Sequence, residues 1–311
     1  MTIQDNSAVT RRNADTDWLS KAQLGAFMHY LPNQREFGFI PQFDVSALAE
    51  QLADAGAAYL GFTLGQNIGF YNAPNPVYDR IVGVAAGERC SQRDLPMELA
   101  NALREKGIRL MLYLPCQTPN QDLQAVKAFG FPEEPLDGDR QILPAAAEKW
   151  AEVIEWWSVH YGELVSGWWF DGGYEWCGFN DAIATLYASA VKKGNPHSIA
   201  TYNPGISLKR ATAAEDYVAG ELREPFEQSI DDRWLDDSQA HVLTYIGDLW
   251  GQPNCRFADE EWIPWLRRCF RSGAAVTLDM RGNRAPENGT VGLFDSDQIA
   301  QFKRLREATR L

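Results

Sequence analysis

One regularity constrains this chain more than any other. Apolar runs of strand length alternate with amphipathic runs of helix length, and the alternation repeats about eight times. Residues 24–32 (LGAFMHYLP), 57–65 (AAYLGFTLG), 108–115 (IRLMLYLP) and 165–173 (VSGWWFDGG) read as the first four strands. Residues 198–205, 241–250 and 274–283 read as three more, with 215–223 a weaker sixth strand whose helix is unclear. Near-continuous apolar strands are buried on both faces, as in a parallel sheet covered by helices. Eight such units predict an α/β fold, a single (β/α)₈ barrel of the TIM type, irregular around units five and six; such barrels run to about 250 residues or more. The expected boundaries are a polar N-terminal arm at 1–17 and the barrel at 18–311. No GxGxxG follows the first strand, which weighs against a dinucleotide-binding fold.

The helices carry their own punctuation. In residues 44–56, Val45, Leu48, Ala49, Leu52 and Ala55 fall at helical spacing, Asp44 suits an N-cap and Gly56 a C-terminal stop. Residues 93–107, 142–163, 179–195, 260–273 and 296–310 read as further helices.

Composition excludes several function classes. A formal charge of −13 is the wrong sign for a nucleic-acid surface or an anionic membrane. No run of about 18 apolar residues exists to span a bilayer. The opening residues have no apolar core of a secretory signal. The five cysteines form no CxxC pair and read as free thiols of a reducing cytoplasm, the expected location. No HxH or HExxH occurs, so neither a metal nor any other cofactor is expected. Trp262 and Trp265 suit either the core or a subunit contact, which leaves a homo-oligomer open.

Barrel enzymes work at the C-terminal ends of their strands, so candidate site residues can be read off in order. They are His29 and Tyr30, Gln66 and Asn67, Tyr113, Trp169 and Asp171, Tyr202 and Asn203, Asp216 and Glu221, Asp248 and Trp250, and Asp279 and Arg281. Carboxylates, amides and aromatics at one mouth suit a small carbohydrate or glycoside as partner, since glycoside hydrolysis needs two carboxyl groups with different tasks. Each candidate also has a plainer role. Asp171 before Gly172-Gly173 could cap a turn, Glu221 could be a solvated loop charge, and His29 could bond a backbone carbonyl. Asp279 is expected to pair with Arg281 or Arg284. His160, His197 and His241 read as structural.

The segments GAFMHY, FDVSALAEQLADAGAAYLGFTLGQNIGF, RDLPMELANALREKGIRLMLYLP, GWWFDGG and SGAAVTLDMRGNRAPENGTV occur in the order of the catalytic barrel of glycoside hydrolase family 29, the α-L-fucosidases. The chain resembles that family over roughly residues 18–306. The resemblance implies a retaining mechanism with Asp171 as nucleophile, the glycines giving the sugar room to approach. It places the acid/base at Glu221, with Glu224 and Glu215 as rivals, and makes His29 a sugar ligand. The chain also departs from the family. Gln66-Asn67 stands where a His-His pair is usual, an arginine near the end of strand five is not evident, and the C-terminal β-sandwich common in the family does not follow.

The leading expectation is therefore a retaining exo-glycosidase resembling α-L-fucosidase, acting through Asp171 and Glu221. His29, Gln66, Asn67, Tyr113, Trp169, Asn203 and Trp250 would bind the sugar. One alternative is an inactive carbohydrate-binding barrel of the same family. A weaker one is a metal-dependent isomerase or lyase using Asp171, Asp248 and Asp279. The sequence leaves the sugar and its linkage open.

Overall fold

A computed structural model describes residues 12–134 and 140–310. Its centre is a seven-stranded sheet in which every neighbouring pair is parallel. The strands are β1 (Leu24–Met28), β2 (Tyr59–Thr63), β3 (Arg109–Pro115), β4 (Val165–Asp171), β5 (Ile199–Tyr202), β8 (His241–Tyr245) and β9 (Ala275–Asp279). A two-stranded hairpin, β6 (Trp234–Leu235) and β7 (Ser238–Gln239), lies between β5 and β8 in the chain. Along the sheet the order is β5-β4-β3-β2-β1-β9-β8. The first and last strands of the chain are thus hydrogen-bonded neighbours, Leu24 opposite Val276 and Phe27 opposite Asp279. That cyclic order curls the sheet into a barrel-like wall.

The expected sixth strand is not a strand. Residues 216–222 run extended through the gap between β5 and β8, held by two isolated bridges, Tyr217 to Gln239 and Glu221 to Leu243, rather than a ladder. Asp216 N donates to Ala200 O on β5 (2.8 Å), and Leu222 N donates to Leu243 O on β8 (3.0 Å). Gly220 interrupts the pairing: its backbone is left-handed (φ +61°), and a Cβ there would lie 1.9 Å from His241 O. No helix follows either. A 3₁₀ turn (Pro225–Glu227) and the β6–β7 hairpin replace it, with Asp236 and Asp237 at positive φ in the tight turn. The irregularity expected around units five and six falls here.

Elsewhere the helices form where their sequences place them. Helix Val45–Ala55 starts on Asp44, whose side chain accepts from Ala47 N, and stops at Gly56 (φ +72°). The five apolar residues of its predicted face are all buried. Helices Leu95–Glu105, Pro144–Tyr161, Asp181–Gly194, Asp259–Ser272 and Ser296–Thr309 match the other predicted runs to within about two residues per end. Trp262 and Trp265 pack in the core. Residues 1–11 of the expected arm lie outside the described residues. The rest of it, 12–17, is docked: Asn13 Nδ2 donates to Asp216 Oδ1 (2.8 Å), and Thr16 is buried.

Strand alternation then assigns each side chain to one of two cores. On β4, Trp168 and Phe170 face the helices, while Trp169 faces the interior. The interior also receives Phe27, Tyr59, Met111, Tyr113, Tyr217 and Leu243. Large rings fit because small residues face them: a Cβ at Gly25 would lie 2.2 Å from the Tyr59 ring, and one at Gly61 would lie 2.4 Å from Phe27. The same period of two carries the last interior-facing position of β4 to Asp171 and that of β9 to Asp279. Among the described residues no helix is long and apolar enough to cross a membrane.

Candidate active site

At the C-terminal end of the strands lies a cavity of about 370 Å³, within the range of small-molecule sites. Its wall includes His29, Gln66, Tyr113, Trp169, Asp171, Glu221 and Trp250, seven of the nine residues singled out from sequence. The other two sit beside it. Asn67 lines a smaller crevice on the far side of Gln66, together with Gln117 and Tyr174. Asn203 is fully buried behind the carboxylates, so it reaches them and not the cavity space.

Asp171 accepts four hydrogen bonds. Tyr113 OH (2.6 Å) and Gln66 Nε2 (3.0 Å) donate to Oδ2, and Gly172 N and Asn203 Nδ2 (both 2.9 Å) donate to Oδ1. All four donors are neutral, so the carboxylate is held by dipoles with no cation in contact. The glycines serve the backbone here. Gly172 takes the left-handed turn (φ +73°) that aims its N–H back at Asp171, and Gly173 packs 3.3 Å from Asn203 O, measured from where its Cβ would be. Gly172 also borders the crevice beside Asp171, where a Cβ would meet nothing nearer than the Tyr174 ring at 3.8 Å.

Glu221 comes from the extended segment that replaces the sixth strand, paired with Leu243 of β8. Its Oε2 accepts from the same Asn203 nitrogen at 2.5 Å. The Asn203 amide is oriented by Gly205 N, which donates to Oδ1 (3.1 Å), leaving Nδ2 to bridge the acids. Because both bonds meet at one atom, Asp171 Oδ1 and Glu221 Oε2 lie no more than their combined length apart, about 5.4 Å. Burial pushes the Glu221 carboxyl above the ordinary glutamate range, and the charge of Asp171 adds to this. The Asn203 bond, His29 and Arg223 oppose it without cancelling it.

His29 bonds a carboxylate and not a carbonyl. Its Nδ1 lies 2.7 Å from Asp279 Oδ1, and Asp279 Oδ2 accepts from Gly251 N at 2.6 Å. Asp279, fully buried, thus pairs with neither Arg281 nor Arg284. Burial alone would lower the His29 pKa, but Asp279, Asp171 and Glu221 together raise it above the usual histidine value. With Nδ1 committed, Nε2 is left to serve the cavity.

Aromatic faces complete the wall. Tyr113 stacks on Trp169 (5.3 Å between centroids, 13° apart), and Trp250 meets His29 edge-on at 5.7 Å. The remaining candidates lie elsewhere. Tyr30 packs outward against Phe43 and Phe62, and Tyr202 packs outward against Phe170. Asp216 sits at the N-terminal end of β5, bonded to Ala200 N, and Asp248 bonds Asn254 away from the cavity. The acid/base rivals separate as well. Glu224 is an exposed side chain 4.0 Å from Arg256, and Glu215 is buried against Ala211 N with its carboxyl pushed up to about 8 by burial. Neither lines the cavity. Sequence reasoning missed Tyr174, Gln252 and Arg284 in the wall. Tyr174 was within reach, three residues after Asp171 on the same strand-end loop. The other two come from long loops with no periodic signal.

No protein-family model and no curated protein matches this sequence. Solved structures do match in fold. The chain is similar to the endo-fucoidan hydrolase MfFcnA4 of glycoside hydrolase family 107 (TM-score 0.72, 16% identity, covering 97% of this chain and 54% of that one). It is also similar to the α-L-fucosidase AlfC from Lactobacillus casei, solved with α-L-fucose product (0.67, 17%, 96% and 100%). A third is the family 29 α-L-fucosidase from Bacteroides thetaiotaomicron (0.67, 15%, 95% and 73%). The chain spans about half the length of the MfFcnA4 chain it matches. At these identities the likeness establishes the barrel-like α/β fold.

Proposed function

We propose that this protein is a retaining glycoside hydrolase built on a (β/α)₈-type barrel whose sixth unit is an extended segment, removing a terminal α-L-fucose or a related sugar. The observation that carries the proposal is the single Asn203 nitrogen bonded to both Asp171 and Glu221. It brings one oxygen of each carboxyl within about 5.4 Å of the other, which supports two carboxyls acting on one bond, as the spacing of roughly 5–5.5 Å between carboxyls in retaining enzymes requires. The fucosidases and fucoidan hydrolases among the similar folds support the sugar class. A cavity of about 370 Å³ suits one sugar ring and so supports terminal cleavage.

In this mechanism an Asp171 oxygen attacks the anomeric carbon as the glycosidic bond breaks. Glu221, whose carboxyl burial raises above the ordinary glutamate range, gives its proton to the departing oxygen. Glu221, now a carboxylate, takes a proton from water as that water attacks the glycosyl–Asp171 ester, and both groups return to their starting states. His29, held by Asp279, presents Nε2 to a sugar hydroxyl. Tyr113, Trp169 and Trp250 supply stacking faces. Gln66, in the position where a histidine is usual in the family it resembles, spends its amide on Asp171, which leaves fewer contacts specific to fucose.

A barrel that binds carbohydrate without cleaving it draws on the crowding of Asp171, whose oxygens already accept four bonds. A panel of aryl α- and β-glycosides of L- and D-sugars, starting with α-L-fucoside, separates the two. Turnover of one glycoside by the wild type, lost by at least about 10³-fold in Asp171→Asn, supports the hydrolase. Saturable sugar binding with no turnover supports the binding protein.

A further inference from the structure

Large apolar side chains are exposed on the loops at the C-terminal end of the strands. Ile68, Trp176, Ile206 and Leu249 are each more than two-fifths exposed and stand on segments that follow β2, β4, β5 and β8. Isolated exposed aliphatics are ordinary. Trp176 is different: it is 64% exposed, and it is the one aromatic among the large exposed hydrophobics of the described residues.

Its indole lies flat on the Tyr174 ring, 4.2 Å between centroids and 11° apart. Tyr174 in turn lines the cavity beside Asp171. With one indole face on Tyr174, the exposure comes from the opposite face and the ring edge. The segment is held in place. Trp176 sits in the 3₁₀ turn Glu175–Cys177, its carbonyl accepts from Gln141 Nε2 (2.5 Å), and Cys177 O accepts from Ile142 N (2.7 Å). A rigid aromatic face open to water, stacked on a Tyr174 ring that lines the cavity with the two carboxyls, has the form of a stacking platform.

We propose that the Tyr174–Trp176 pair forms an outer saccharide subsite, in which Trp176 stacks on the C–H face of a neutral sugar unit linked to the unit held in the cavity. The aromatic face carries negative charge density and the sugar's axial C–H groups carry positive, so the contact needs no charged partner. Exposed Glu175 beside it and the net charge of −13 disfavour an anionic saccharide there. The inference rests on the glycosidase reading and extends it to the group beyond the scissile bond.

Two substrates with the same sugar in the cavity test it: α-L-fucosyl fluoride, whose leaving group is too small to reach Trp176, and a neutral α-L-fucosyl disaccharide. In Trp176→Ala the ratio of kcat/KM for disaccharide over fluoride should fall about tenfold, with Trp176→Phe recovering most of it. An unchanged ratio overturns the subsite while leaving the hydrolase intact. If the wild type releases no fluoride and cleaves no disaccharide, the hydrolase reading fails for fucose. Equilibrium binding of the disaccharide then decides the subsite alone, with about tenfold weaker binding by Trp176→Ala supporting it and equal binding overturning it.

Discussion

Asp171 and Glu221 are tied to one nitrogen: Nδ2 of Asn203 donates to Asp171 Oδ1 at 2.9 Å and to Glu221 Oε2 at 2.5 Å. Two carboxyls this close would repel if both were ionised, and the arrangement resolves the conflict by giving them different surroundings. Asp171 takes four neutral donors, whereas Glu221 takes one and is pushed upward by burial. On the proposed mechanism, these different surroundings suit Glu221 as the acid and Asp171 as the nucleophile.

Asn203 should therefore matter to chemistry more than to binding. Asn203→Ala removes the bond that lowers the Glu221 pKa, so the alkaline limb of the activity profile should move to higher pH. Turnover should drop about 10- to 100-fold, the cost of leaving a charged acceptor without its donor. Steady-state kinetics across pH, with the melting temperature as a control for folding, would check this. An unshifted limb would mean that the bridge is only structural.

On the proposed mechanism, Glu221 should set the alkaline limb in the wild type. Its carboxyl is raised, so the protonated form survives above the ordinary glutamate range and is lost as pH rises through the shifted value. Activity should fall across that interval. Glu221→Gln should abolish the limb, cut turnover of sugars with poor leaving groups by about 10²–10⁴-fold, and spare activated leaving groups most. A limb that persists in Glu221→Gln would assign it to another group.

The interior holds a second titration that affects stability and not catalysis. His241 is buried, with Nδ1 3.1 Å from Val218 O and Ala219 O, and Nε2 2.7 Å from Thr277 Oγ1. Burial lowers its pKa to about 4. A lowered value means the unfolded chain takes up a proton below about 6.5 while the folded one stays neutral until about 4. Stability should be fully present above pH 6.5 and fall by about 3 kcal/mol on acidification through that window. Denaturant unfolding at a series of pH values in wild type and His241→Asn would show it, the variant lacking that part of the slope.

Sequence reasoning reached the barrel pattern and half of the cavity wall for a physical reason. The period-two alternation and the strand–helix rhythm are local signals, and in GWWFDGG they fix which face Asp171 takes once the strand is known. Bonds set by long-range geometry stayed out of reach. Asp279 and His29 are 250 positions apart and meet only because β1 and β9 are neighbours in the sheet. Their partners could not be chosen from arginines that merely lie nearby in the chain. Asn203 looked like a sugar ligand because it ends a strand, yet its full burial turns it into a bridge between acids. The sixth unit misled because AEDYVAGEL has strand-like composition, while Gly220, left-handed against His241 O, ends the ladder before it starts. The glycines after Asp171 were visible, but that one aims its N–H at the carboxylate and the other packs against Asn203 O was not.

Covalent trapping tests the central claim most directly. Incubation with 2-deoxy-2-fluoro-α-L-fucosyl fluoride, whose fluorine slows breakdown of a glycosyl ester, should leave one sugar on the protein, and peptide mass spectrometry should place it on Asp171. A sugar attached at any other residue, or steady cleavage of the parent glycoside with no adduct and inverted product, would contradict a mechanism built on Asp171 and Glu221.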